Sequence, residues 1–297
     1  MDHSRRELLQ LARLTVAGWV DDRASSMGAA IAYYTAFSIA PLLLIVIAVA
    51  GLVFGEDAAR GAVMGQINDL IGWNGAQAVQ SVLAASHSRG GSIVSAAIGA
   101  LTLVIGATTV FNELQQDLDL IWKVPPHGAG VVGMVKARLL SFGLVVGLGF
   151  LLLVSLVVSA GLSAFGALVG QSFPGEELLF QFLNMSVSFA AIACAFAVIY
   201  KVLPRTGVRW SEVWIGGVFT ALLFTLGKFL IGLYIGRAAL GSSFGAAGAF
   251  VVLLAWIYYS AQIFLLGAEF TYQHACMKRR AGGQLNAPSQ TAPAAKL

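Results

Sequence analysis

The chain has 297 residues, of which 58% are hydrophobic and 11% charged, with a mean hydropathy of +0.81. A soluble globule carries about a quarter of its residues charged, so this composition excludes an ordinary water-soluble enzyme and predicts an all-α chain whose outer surface faces lipid. Two cysteines exclude a disulfide framework, and the formal net charge of +4 must be located before it can be read as nucleic-acid or lipid affinity.

In chain order, residues 1–26 form an N-terminal cytoplasmic or interfacial segment. Arg5 to Val20 predicts a helix with arginines near headgroups and Trp19 as an anchor, and a plain cytoplasmic helix fits the same residues. Leu14 to Val20 runs into Asp21 and Asp22 with no small-residue cleavage site, unlike a signal peptide. Six apolar stretches follow, each near the ~20 residues that cross a bilayer core. They run from Met27 to Phe54, Ser92 to Asn112, Leu139 to Ser163, Leu178 to Tyr200, Val213 to Ile235 and Phe244 to Ala268. Together they predict a six-helix transmembrane domain over residues 27–272.

A helical insert occupies residues 55–91. Val63, Ile67, Leu70 and Ile71 keep one helical period and Ala76, Val79 and Leu83 another, with Gly72-Trp73-Asn74-Gly75 between them. This predicts a periplasmic amphipathic hairpin of two short helices, either covering the bundle or gating a path through it. After the second span, Leu114, Leu118, Ile121 and Trp122 continue a helical face, opposite Glu113, Gln116 and Asp117, until Pro125-Pro126 stops it. Residues 273–297 read as a cytoplasmic disordered tail, with Gly282, Gly283, Pro288 and Pro293 among small polar residues.

Fourteen of the eighteen Lys and Arg residues fall on the side that carries both termini, and Arg60, Arg89 and Arg237 fall on the other. Positive charge accumulates on the cytoplasmic side, so an N-in/C-in orientation is predicted. The basic character is then a topology signal, and the expected partner is membrane lipid, with no nucleic acid. Small-x-x-x-small pairs, Gly143 with Gly147, Gly232 with Gly236 and Gly241 with Gly245, predict helix contacts within the chain or in a homo-oligomer.

Lys228 is the one cation that this topology leaves unexplained. It lies about 15 residues into the fifth span, where a lipid-facing lysine costs a few kcal/mol. Its side chain tilts towards the helix N-terminus, against an outward snorkel, which favours a bundle-facing site for an anion or a carboxylate. A second polar set gathers towards the cytoplasmic side: Tyr33, Tyr34, Thr35 and Ser38 in the first span, Asn112 and Glu113 at the end of the second, and Tyr258, Tyr259, Gln262 and Glu269 in the sixth. Such groups either join helices by hydrogen bonds or line a substrate or ion site, in which Glu113 and Glu269 would carry a proton or cation. Pro41 removes one backbone bond mid-span and predicts a kink.

Three letter-level motifs fail on context. Gly241-x-Ser243-x-Gly245 has no strand-to-helix turn, Gly128-x-Gly130-x-x-Gly133 follows no strand, and Gly227-Lys228 lacks the rest of a phosphate loop. His3, His87, His127 and His274 are scattered, so no catalytic set, metal site or cofactor is expected.

Several segments carry a resemblance. They are Ala30-Ile31-Ala32-Tyr33-Tyr34-Thr35-Ala36-Phe37-Ser38-Ile39-Ala40-Pro41-Leu42-Leu43, Phe111-Asn112-Glu113-Leu114-Gln115 with Ile121-Trp122-Lys123-Val124, and Leu203-Pro204 ahead of Trp210. The last is Ser243-Phe244-Gly245-Ala246-Ala247-Gly248-Ala249, with Phe244 where Tyr is expected, running on through Trp256-Ile257-Tyr258-Tyr259-Ser260-Ala261-Gln262-Ile263 to Leu266-Gly267-Ala268-Glu269. From about Arg23 to Glu269 the chain resembles the YihY/BrkB family of six-span bacterial inner-membrane proteins, once labelled ribonuclease BN. The resemblance implies transporter-like architecture and a link to virulence, and transfers no substrate and no catalytic residue. Two functions follow as expectations. One is a permease moving a small solute, ion or lipid by alternating access. The other is a non-transporting scaffold or envelope-integrity factor. The ribonuclease reading lacks the clustered ligands that phosphodiester hydrolysis needs.

Overall fold

The structure is a computed structural model that describes residues 2–87, 109–125, 176–237 and 245–281, together with 143, 147, 151, 154 and 158. The described residues are helical with short connections and contain no strand. The helices are α1 (Asp2–Asp21), α2 (Ala24–Phe54), α3 (Glu56–His87), α4 (109–121), α5 (Glu176–Val202), α6 (Trp210–Arg237) and α7 (Gly245–Ala281). Three of them are long and apolar enough to cross a membrane, over Gln181–Val202, Trp210–Leu230 and Phe250–Arg280. Their outward faces carry Phe182, Met185, Leu222, Leu226, Phe229 and Val251, all exposed. Exposed apolar side chains in such numbers suit a lipid surface and would be a liability in water.

Helix α7 is the central element, packing against α1, α2, α3 and α6. Small residues set these seams. A Cβ on Gly216 would overlap Thr271, one on Gly267 would overlap Thr220, and one on Gly227 would stand 2.5 Å from the Tyr259 hydroxyl. On the other side of α6, a Cβ on Gly217 would stand 2.6 Å from the Ala193 carbonyl oxygen of α5. The bare Cα lets each backbone approach its neighbour closely, which is how helices associate where no water is left to expel. The expected pair Gly143 and Gly147 differs: both are exposed, and nothing among the described residues packs on them. Gly216, Gly217, Gly227 and Gly267 form the close approaches instead.

Helix α3 corrects the expected hairpin. It runs unbroken through Gly72-Trp73-Asn74-Gly75 for 32 residues, and Trp73 is 74% exposed. The break lies in the phase of the pattern, not in the backbone. Ala59, Val63 and Ile67 fall on one face, and Ala76 and Val79 on nearly the opposite one, at ~100° per residue. The helix packs against α2, α6 and α7, so successive stretches of it bury different faces. Helix α2 continues through Pro41 as one helix. Helix α7 extends well past Ala268 to Ala281, so the first nine residues of the expected tail are helical. The second span before residue 109, most of the third span, the glycine run 128–133, Gly241, Ser243 and residues 282–297 lie outside the described residues.

Candidate functional site

Two chain corners converge at the end of the bundle that carries α1. Arg23, at φ 55°, turns α1 into α2, and Lys123, at φ 54°, ends α4. Neither is glycine, so each left-handed residue costs of order 1 kcal/mol and persists because its surroundings hold it. An ion pair joins the two corners. Lys123 Nζ donates to both Asp22 oxygens, at 2.6 and 2.7 Å, and the Asp22 side chain is 9% exposed. Helix α4 is fixed at its other side too. Gln115 Nε2 donates to the Leu203 carbonyl at 3.0 Å, and Asp119 Oδ1 accepts the Arg205 backbone N–H at 2.8 Å.

Glu269 lies beneath this corner. It is 1% exposed, and neither of its carboxyl oxygens has a hydrogen-bond partner among the described residues. Its Oε1 sits against Gly18 of α1 so closely that a Cβ there would overlap it, and the Gln273 amide nitrogen is 3.3 Å from the same point. The charges of Asp22, Lys123 and Asp21 all reach it. The indole N–H groups of Trp19 and Trp122 and the Gln262 Oε1 are likewise buried without a partner among the described residues. A buried carboxylate without partners costs several kcal/mol, so this site holds chemistry that its apolar surroundings do not satisfy.

The expected site residues divide. Gln262 is half-buried on the same helix two turns before Glu269, and its Nε2 donates to the Ala24 carbonyl at 3.3 Å. Tyr259 is half-buried against Gly227. Lys228, the next residue on α6, is half-buried and stands at that same level. Glu269 is ten residues further along α7, about 15 Å by helical rise, so Lys228 and Glu269 do not form one site. Tyr33 is 58% exposed and lies in an aromatic row with Tyr34, Phe37 and Phe250, with Tyr33 to Phe37 ring centroids at 4.9 Å. Tyr258 is 38% exposed, Asn112 is exposed, and Tyr34 is half-buried. Ser38 spends its hydroxyl on the Tyr34 and Thr35 carbonyls of its own helix.

Glu113 is half-buried, and its charge acts on Asp117, which is 6% exposed where the amphipathic pattern places it on the polar face. Burial first, and then Glu113, push the Asp117 carboxyl up to about 7. Sequence reasoning also passed over Glu212. It is 2% exposed, accepts the Arg209 backbone N–H at 3.2 Å and pairs with Arg279 of α7 at 3.4 Å. The signal was an acid three residues into a helix, the position that caps a helix start. Gly18 left no such signal, because only the fold brings it to Glu269.

Comparison with known proteins is consistent with a membrane chain. The model of a family described as Virulence factor BrkB matches residues 15–292. A UPF0761 membrane protein of Pseudomonas aeruginosa (strain LESB58) is 28% identical over 270 residues, covering 88% of this chain and 61% of that protein. One from Psychrobacter sp. (strain PRwf-1) is 26% identical, covering 88% and 47%. One from Verminephrobacter eiseniae (strain EF01-2) is 34% identical over 176 residues, covering 58% and 40%. The chain thus spans about three fifths or less of the length of these curated relatives. No solved structure matches it.

Proposed function

This chain belongs to the Virulence factor BrkB family of membrane proteins, and on that premise we propose that it is a bacterial inner-membrane permease. In this reading six helices span the bilayer with both termini cytoplasmic, and alternating access moves a small solute or ion past a buried polar site. The observation that carries it is Glu269, a carboxyl on α7 buried under Gly18 of α1, with neither oxygen hydrogen-bonded among the described residues. A purely structural carboxyl at this depth would cost several kcal/mol with no return. One that takes up a proton or cation and releases it uses that cost, because the burden falls on one state of the cycle only.

Gly18 lies over one side of the carboxyl, so displacement of α1 is the step that exposes it. Gln262 supplies a second open acceptor on the same helix. Lys228, within an apolar span at the level of Tyr259, acts separately as the anion-side group of the path. The scaffold reading draws support from the Tyr200 hydroxyl, which donates to the Phe264 carbonyl at 2.7 Å and also meets Thr220, a locked seam with no transport role.

The test is flux through proteoliposomes across a panel of ions, osmolytes and lipids. The permease reading expects at least one solute to cross at a protein-dependent rate and Lys228→Met to abolish that flux with membrane abundance intact. No protein-dependent flux across the panel would favour the scaffold, and full flux in Lys228→Met would remove the role given to that residue.

A further inference from the structure

Helix α1 has two working faces, and only one is spent inside the chain. Leu11 and Thr15 are buried and Gly18 meets Glu269, so this face packs on α7. The opposite face carries Leu9, Ala12, Val16 and Val20, spaced by three and four residues along one side of the helix. Leu9 is 72%, Val16 56% and Val20 59% exposed, so the chain itself leaves the stripe uncovered. The exposed Arg6 and Arg13 lie together on one margin of the stripe by helical position. Of the acids, Glu7 and Asp21 fall towards the α7 side, and Asp2 is the first helical residue.

The level of the helix in the molecule is marked by two tryptophans. Trp210 and Trp214, at the start of α6, are 50% and 45% exposed. They precede Gly216, which packs on Thr271, and flank Glu212, which pairs with Arg279. Glu269, under Gly18, is thus within about a helical turn of this level along α7. Exposed indoles at the end of an apolar helix sit at the headgroup layer. Two residues, Asp22 and Arg23, join α1 to the 31-residue α2, which has no charged side chain. An apolar stripe bordered by arginines, at headgroup level and tied to an uncharged helix, matches an anionic bilayer surface. Water would leave the stripe's hydrocarbon unburied.

We propose that the Leu9/Val16/Val20 face of α1 docks on the anionic headgroup layer, with Arg6 and Arg13 engaging lipid phosphates, which holds its other face over Glu269. This goes beyond the permease reading and stands whether or not any solute moves.

The test is site-directed spin labelling of the full chain in nanodiscs, with Cys194 and Cys276 replaced by Ser and a label introduced by Leu9→Cys or Val16→Cys. Discs are made of phosphatidylcholine alone or with phosphatidylglycerol. In phosphatidylglycerol discs, collisions with oxygen are expected to exceed those with a water-soluble nickel chelate at both positions. Combining Arg6→Glu and Arg13→Glu should lower that ratio at least about threefold. Nickel exceeding oxygen in both lipids would overturn the proposal. So would dipolar broadening that grows with the number of chains per disc, since a second copy would then cover the face. A parallel flux measurement keeps the two readings apart, because loss of transport leaves the collision ratio unchanged.

Discussion

Gly18 of α1 and Glu269 of α7 pack so closely that the carboxyl oxygen fills the place of a glycine Cβ. Helix α1 can lie on α7 at this point only because residue 18 has no side chain. Gly18→Ala is therefore expected to push the carboxyl or the helix aside, at a cost of about 1–3 kcal/mol. Thermal unfolding in detergent reads it. Adding Glu269→Ala should restore most of the loss, since the two residues share one space; additive losses would show that they do not meet.

Asp117 makes stability depend on pH in an unusual direction for a carboxyl. Its folded value, near 7, lies above the ordinary 3.8. Between those values the unfolded chain has released the proton and the folded chain still holds it. Stability therefore falls as pH rises from about 4 to about 7 and is level above that. Asp117→Asn removes this contribution. Melting curves from pH 5 to 8 should show the variant gaining on the wild type as pH rises, by on the order of 2 kcal/mol at most. A constant difference would contradict the assignment.

Lys123 combines a left-handed backbone with a bidentate ion pair to Asp22. The ion pair is half-exposed on the lysine side, so its loss is worth under about 1 kcal/mol. Lys123→Gly relieves the backbone while losing the pair and is expected to be near neutral. Lys123→Val loses both and is expected to cost about 1–3 kcal/mol more. Equal melting temperatures for the two variants would show that the backbone there is unstrained.

The Tyr200 hydroxyl is fully buried between Thr220 and the Phe264 carbonyl. Tyr200→Phe removes the bond to the Phe264 carbonyl and the contact with Thr220, whose hydroxyl still donates to the Gly216 carbonyl, and is expected to cost about 1–3 kcal/mol. Thr220→Val is expected to cost less, because the tyrosine keeps its carbonyl acceptor. A larger loss for Thr220→Val in thermal unfolding would invert this order.

Helical class and the three described spans were readable from apolar run length, because membrane helices must satisfy every backbone group internally. The boundaries shifted outward where polar residues remained helical: α7 continues through Lys278 to Ala281. The α3 hairpin failed for a different reason. A change of buried face within one helix interrupts sequence periodicity as a turn would, and only the unbroken backbone from Glu56 to His87 separates the two. Glu269 stood out as an acid near the end of an apolar run. Its neighbour Gly18 did not, since it lies 251 positions away and no spacing rule connects the two.

Flux through proteoliposomes containing wild type, Glu269→Gln and Glu269→Asp tests the binding role of Glu269 most directly. Glutamine keeps the shape and removes the charge and the exchangeable proton, and aspartate restores both. Flux is expected to fall at least about tenfold in Glu269→Gln and to return in part in Glu269→Asp, with melting temperatures that do not fall. Undiminished flux in Glu269→Gln would contradict the account.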